Sequence, residues 1–281
     1  MRAHRFRLLN VFTRSMGRLT GNPLCVFEQS AGLDTAAMQA LARQFNLSET
    51  TFIAPSSRAA ASVRIFTPNY EMPFAGHPTL GTAHVCRALG LGGNALELDM
   101  QAGIIGVEAA GDRWTLTAPE ASFRDIEVPL GTLAGALGLE ETDIDERPLW
   151  VKAGREQLIV PLRSPDAVRR ASPSAGGMAA LRSEDGIGMA YVFAPSGPAK
   201  VLARFFFPSG PVMLEDPATG SATANFGGWC VAMNRPLPLA LEISQGESAG
   251  RPSTLYLDVT SEHRIRVGGD VIELGSGSIT L

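Results

Sequence analysis

The chain has 281 residues, 45% of them hydrophobic, enough to fill one large domain or two of ordinary size. Its 24 Lys and Arg against 28 Asp and Glu give a formal charge of -4 with no basic run, which offers nucleic acid no positive field. No long uncharged stretch suits a membrane span, and Cys25, Cys86 and Cys230 lie far apart without a C-x-x-C pair. A cytoplasmic protein with reduced, buried thiols is expected, lacking a disulfide framework or zinc knuckle.

Residues 5–12 and 22–28 read as strands joined by turn chemistry at Gly21-Asn22-Pro23. Asp34 then caps an amphipathic helix over 35–45, in which Met38, Leu41, Ala42 and Phe45 recur at helical spacing; it ends at Asn46-Leu47-Ser48. Glu49 opens the next strand, so it sits at a helix-to-strand corner. A strand over 61–66 leads into Phe74-Ala-Gly-His-Pro-Thr-Leu-Gly81, a tight loop followed by a nearly uncharged helix from Pro78 to Leu89. Strands follow at 96–101, 103–109 and 113–118. The segment from Pro119 to Pro129 reads as a link between two halves. Beyond it the pattern predicts a helix near 131–138, strands near 149–152 and 157–162, and helices near 164–171 and 174–182. Strands near 188–194 and 201–207 precede a second uncharged helix over 218–233, and strands near 240–245, 253–259, 263–268 and 271–275 end the chain.

The chain repeats itself in part. Arg64-Ile-Phe-Thr-Pro68 resembles Arg204-Phe-Phe-Phe-Pro208 at a spacing of 140 (204 − 64), and His77-Pro78-Thr79-Leu80-Gly81 resembles Asp216-Pro217-Ala218-Thr219-Gly220 at 139 (216 − 77). A duplication predicts two similar folds about a pseudo-twofold axis. Two helix starts would then converge on one cleft and suit a carboxylate ligand. On this register His77 and Asp216 are counterparts.

Among titratable residues, Glu49 is flanked by Leu47, Phe52 and Ile53. It reads either as a desolvated acid/base or as an exposed strand-start glutamate. Asp216 reads as a helix N-cap or, through the repeat, as a site residue. His77 and His84 are two helical turns apart, about 10 Å, too far to share a metal ion. Gly246-Glu-Ser-Ala-Gly250 has the spacing of a hydrolase nucleophile elbow, followed by Asp258 and His263. Gly250-Arg251-Pro252, however, breaks the helix such an elbow requires.

The segments Asn10-Val-Phe-Thr13, Gly21-Asn-Pro23, Asn46-Leu-Ser-Glu-Thr-Thr-Phe52, Phe66-Thr-Pro68, Phe74-Ala-Gly-His-Pro-Thr-Leu-Gly81 and Glu215-Asp-Pro-Ala-Thr-Gly-Ser-Ala222 together resemble the PhzF-like phenazine biosynthesis isomerase family, within the diaminopimelate epimerase-like fold. The resemblance implies an α+β protein of two similar domains, each a mostly antiparallel sheet or barrel around a central helix. We take these as residues 1–122 and 123–281, with a return of the chain end to the first domain left open. It implies a homodimer without cofactor or metal, Glu49 as acid/base, and His77, Asp216 and Ser221 lining the site. Related racemases of this fold use two cysteines, whereas this chain has Ala75 and Thr219 at about those places.

The expectation is therefore a cofactor-independent isomerase acting on a small carboxylate-bearing, amino-acid-like or cyclic substrate. Glu49, His77 and Asp216 would be catalytic, and Gly76, Thr219, Gly220 and Ser221 would bind substrate. The alternatives are an amino-acid racemase or epimerase of the same fold, or a non-catalytic small-molecule-binding relative.

Overall fold

The structure is a computed structural model that describes residues 1–14 and 17–281. It divides into two compact units: Met1–Thr117 with Gly268–Leu281, and Ala118–Val267.

Unit 1 contains β1 (Ala3–Val11), β2 (Asn22–Phe27), α1 (Thr35–Phe45), β3 (Glu49–Ala54), β4 (Ala61–Phe66), β5 (Glu71–Met72), α2 (Gly76–Ala88), β6 (Ala95–Met100), β7 (Gly103–Ala110) and β8 (Arg113–Thr117). The chain later supplies one more strand, and eight strands close into a barrel. β1 pairs with β2, β2 with β3, β3 with β4, β4 with β6, β6 with β7 and β7 with β8; the final strand of the chain joins β8 back to β1. The helix α2 packs against β1, β2, β3, β4, β6 and β8, which explains why it carries almost no charge. Gly81 permits the approach, because a Cβ there would stand 2.4 Å from Leu24 Cδ2 and 2.9 Å from Val11 Cγ2.

Unit 2 contains β9 (Ser122–Asp125), α3 (Leu130–Ala136), β10 (Leu149–Lys152), β11 (Glu156–Pro161), α4 (Pro165–Arg170), α5 (Ala175–Met178), β12 (Ala190–Gly197), β13 (Lys200–Ser209), β14 (Val212–Asp216), α6 (Gly220–Ala232), β15 (Leu239–Gln245) and β16 (Ser253–Val259). The strand that crosses the boundary is β17 (Ile265–Thr280), whose register against β1 runs from Ala3↔Thr280 to Val11↔Val271. The sheet order in unit 2 is β9, β10, β11, β12, β13, β15, β16, with β14 on β13, and α6 packs against β9, β10, β11 and β16.

The two units repeat one wiring scheme. An antiparallel pair (β1/β2 or β10/β11) is followed through helix by a parallel neighbour (β3 or β12), and an antiparallel strand follows (β4 or β13). A short flap is then added (β5 or β14), and a buried 13-residue helix leads to a second parallel neighbour (β6 or β15). The match reaches side chains. Arg64 lies over the Phe66 ring and pairs with Glu71, while Arg204 lies over Phe206 and pairs with Glu215.

Several boundaries differ from the sequence reading. The Pro119–Pro129 segment holds β9, paired with β10 from Ser122↔Lys152 to Asp125↔Leu149. Its charge misled because Arg124 is spent on Glu156, 2.8 Å away and 6% exposed. The strands predicted at 263–268 and 271–275 are one strand. Its Gly268-Gly269 is a close approach rather than a break, since Cβ atoms there would stand 2.4 Å from Thr115 Oγ1 and 2.3 Å from Phe12 Cδ1. Helices α4 and α5 are shorter than predicted, and α6 starts at Gly220 rather than Ala218. Helix α2 starts at Gly76, with Pro78 tolerated in its first turn, where its missing N–H costs nothing.

Candidate active site

In unit 1, Asp34 caps α1 by accepting from Ala37 N at 2.8 Å, and Asn46 ends it in the left-handed region at φ 52. The turn that follows delivers Glu49 to the first position of β3. Ser48 Oγ donates to Asn22 Oδ1 at 3.2 Å, tying this corner to the start of β2. His77 is the second residue of α2, and its Nε2 lies 3.3 Å from Glu49 Oε2; the two side chains are 7% and 15% exposed. Burial pushes the pKa of His77 down to about 3, opposed only by a hydrogen bond to the backbone of Pro23. His77 is therefore neutral at ordinary pH, and the close approach to Glu49 is not an ion pair.

The polarity of this pair follows from elementary donor and acceptor chemistry. Proline has no N–H, so the Pro23 carbonyl must accept and the imidazole must donate. Since Nε2 faces Glu49, the donating nitrogen is Nδ1. A neutral imidazole that has given its one hydrogen to Pro23 offers Glu49 only a lone pair. A hydrogen bond across the 3.3 Å gap thus requires the proton to be on the carboxyl.

In unit 2, Asp216 ends β14 opposite Phe205 and accepts a short hydrogen bond from Thr219 Oγ1. Gln245, fully buried at the end of β15, holds this loop from behind. Its Nε2 donates to Asp216 O at 2.9 Å and to Thr219 Oγ1 at 3.1 Å, and its Oε1 accepts from Thr219 N at 3.3 Å. Thr219 N–H is thereby turned inward, which leaves Gly220 and Ser221 as first-turn donors of α6. Neither α2 nor α6 has a side-chain cap at its start. Ser221 Oγ accepts from Gln157 Nε2 at 3.1 Å.

The predicted residues thus fall into two groups, one within each unit: Glu49, Gly76 and His77; and Asp216, Thr219, Gly220 and Ser221. The residues that sequence reasoning missed are Pro23, Asn22, Gln157, Asn225 and Gln245. The available signal was a buried-type polar residue inside an apolar run, as in Glu156-Gln-Leu-Ile-Val160, which strand patterning treats as noise.

One alignment is overturned. Helices α2 and α6 begin 144 residues apart (220 − 76), and they end alike, with Leu91 N bonded to Cys86 O and Arg235 N to Cys230 O, both at 2.9 Å. This register matches His77 with Ser221 and Ala75 with Thr219, both N-caps. Glu215 pairs with Phe206 as Glu71 pairs with Phe66, so Asp216 matches Met72 and not His77. The β13/β14 hairpin is longer by four residues, which shifted the apparent sequence match. Asp216 is not an N-cap either. Glu49 has no acidic counterpart, because the strand register sets Met189 at its place.

The other sequence candidates carry no chemistry. Residues 246–250 form a turn without a following helix, and Gly246, at φ +81, packs where a Cβ would be 2.4 Å from Pro217 O. Trp114 Nε1 donates to His84 Nδ1 at 3.3 Å. Among the described residues no group of three or more His, Cys, Asp or Glu is placed to hold a metal, and no helix is long and apolar enough to cross a membrane.

The barrel closed around one helix, with its wiring repeated in the second half of the chain, defines the epimerase-like α+β class. Within it, the sequence profile of the phenazine biosynthesis-like proteins, PhzC-PhzF, matches residues 9–277, and the chain belongs to that family. It is 38% identical over 280 residues to an uncharacterized isomerase of Pasteurella multocida, covering 98% of this chain and 93% of that one. It is 32% identical to the trans-2,3-dihydro-3-hydroxyanthranilate isomerase of Pseudomonas fluorescens, covering 94% and 95%. The PhzF-family phenazine biosynthesis protein of Bacillus anthracis superposes with a TM-score of 0.86 over all of both chains at 23% identity, a likeness of fold. The chain is an isomerase of this family.

Proposed function

We propose that this isomerase works without a cofactor and moves a proton between two carbons of a small, carboxylate-bearing, amino-acid-like or cyclic substrate, with Glu49 as both general acid and general base. One observation carries the reading: a carboxyl oxygen 3.3 Å from the nitrogen of a buried, neutral imidazole. The lone pair of His77 faces the carboxyl and can accept from it when it is protonated. Delivery of that proton to one carbon leaves a carboxylate facing a lone pair, which makes Glu49 the base for the next step. That carboxylate takes a proton from a second carbon on the same face. Each step exchanges one O–H for one C–H bond or the reverse, and Glu49 ends as it began.

The substrate carboxylate would be met by N–H groups at a helix start, those of Gly76 and His77 in unit 1 or those of Gly220 and Ser221 in unit 2, where Thr219 shapes the turn. Asp216, held by Thr219 and Gln245, would take a polar or cationic substituent. A two-thiol racemase is disfavoured. Ala75 and Thr219 occupy the two N-caps, and burial pushes the thiols of Cys86 and Cys230 up to about 12. On this reading the enzyme is cytoplasmic and a homodimer, needing only a small carboxylate as partner; sedimentation of the purified protein checks its oligomeric state.

The substrate named for the Pseudomonas fluorescens relative, trans-2,3-dihydro-3-hydroxyanthranilate, is the first compound to test, followed by other small cyclic carboxylates. In D2O the wild-type enzyme should place one solvent deuteron on a carbon of its substrate, and Glu49→Gln should not. Full incorporation by a folded Glu49→Gln enzyme would remove Glu49 from the mechanism.

A further inference from the structure

Behind Ser221 lies a chain of buried amides with a fixed direction. Ala153 N–H donates to Asn225 Oδ1 at 2.7 Å, and Asn225 Nδ2 donates to Arg155 O at 2.9 Å and to Gln157 Oε1 at 2.8 Å. Gln157 Nε2 then donates to Ser221 Oγ at 3.1 Å. Asn225 is 0% and Gln157 2% exposed, so bulk water does not reach either amide.

Only one orientation of each amide satisfies the chain. A flipped Asn225 would set its NH2 against the Ala153 N–H and its oxygen against the Arg155 carbonyl, two like-to-like contacts. With Asn225 settled, a flipped Gln157 would set NH2 against NH2. The backbone of the β10/β11 hairpin therefore dictates, through two side chains, that Ser221 Oγ is an acceptor on its inner side. Its own hydrogen is left to point away from Gln157.

We infer that Gln157, oriented by Asn225, is a positioning residue that presets Ser221 as a hydrogen-bond donor, and that the substrate group meeting Ser221 is an acceptor such as a carboxylate or enolate oxygen. The substrate part of this inference rests on the isomerase reading above; the relay does not. Unit 1 shows what the same fold does without such a relay. Leu24 stands at the position of Gln157 and Gly81 at that of Asn225 (225 − 81 = 144), and the two meet in a tight apolar contact.

Neutron diffraction from deuterium-exchanged crystals of the unliganded wild-type protein tests the relay directly. The expected map has a Gln157 Nε2 deuteron aimed at Ser221 Oγ and the Ser221 deuteron off that line; a Ser221 deuteron aimed at Gln157 overturns the proposal. Steady-state kinetics on trans-2,3-dihydro-3-hydroxyanthranilate supply the second arm. Gln157→Glu can only accept from Ser221 and should raise KM about tenfold or more, with a smaller change in kcat. The double variant Gln157→Leu with Asn225→Gly, which copies the packing of unit 1, frees the hydroxyl to rotate and should raise KM about threefold, well short of Gln157→Glu. A folded Gln157→Glu enzyme with wild-type KM rejects the role, whatever the neutron map shows. If the compound is not turned over, the isomerase reading loses its candidate substrate and the neutron map alone decides the relay.

Discussion

The starts of α2 and α6 are the same piece of architecture put to opposite chemical use. Both are first turns of buried 13-residue helices without side-chain caps, and both present a polar residue at the second position, His77 in one and Ser221 in the other. In each unit the strand before the parallel crossover controls that residue. The Pro23 carbonyl on β2 takes the imidazole hydrogen, so His77 faces Glu49 as an acceptor. The Gln157 amide on β11 gives a hydrogen, so Ser221 faces outward as a donor. Duplication supplied two equivalent platforms, and substitution of a few buried residues gave them complementary polarity.

The sharpest way to break the comparison is to remove the group that only unit 1 has. Glu49→Gln keeps the shape but not the proton, and turnover should fall about 10²- to 10⁴-fold by deuterium incorporation while the unfolding midpoint stays near wild type. An undiminished rate would mean that the asymmetry of Glu49 and Met189 is not the catalytic one.

Next in size is the acid sensitivity that the burial of His77 creates. Its pKa in the folded protein, about 3, lies below its ordinary value of 6.5, so the unfolded chain binds the proton first. The stabilising contribution is complete above about pH 6.5 and is lost as pH falls toward 3. By pH 4.5 the loss should reach about 3 kcal/mol. Urea unfolding at pH 7 and pH 4.5 should show it, and His77→Gln should shrink the difference between the two pH values. An unchanged pH slope in that variant would place the acid sensitivity elsewhere.

Packing separates the units more modestly. Gly81→Ala should destabilise by about 1–3 kcal/mol, because the new Cβ would stand 2.4 Å from Leu24 Cδ2, and a further Leu24→Ala change should recover part of it. Full additivity of the two in denaturant unfolding would contradict the contact. Smallest is the repeated Arg clamp. Arg204 also donates to the carbonyls of Val168, Arg169 and Ala171, whereas Arg64, among the described residues, adds Thr35 Oγ1. Arg204→Ala should therefore cost about 1 kcal/mol more than Arg64→Ala. Equal losses in thermal unfolding would make the clamps interchangeable.

Much of this protein was legible in its sequence, because local rules bind locally. The Asp34 cap, the αL end at Asn46 and the corner that presents Glu49 follow from residues within a few positions of each other. The motifs around His77 and Asp216 identified the family, and two uncharged helix patterns announced two buried helices. What stayed hidden was decided across the fold. The repeat register depended on the length of one hairpin, and Gly268-Gly269 looked like a break until its neighbours on β8 and beside β1 were in place. The proton on the His77 ring was set by a carbonyl 54 residues away (77 − 23), and the orientation of Ser221 by an amide 64 residues away. A sequence states which donors and acceptors a chain owns. Which of them satisfy one another, and so which are left to face a substrate, is fixed only when burial removes water as an alternative partner.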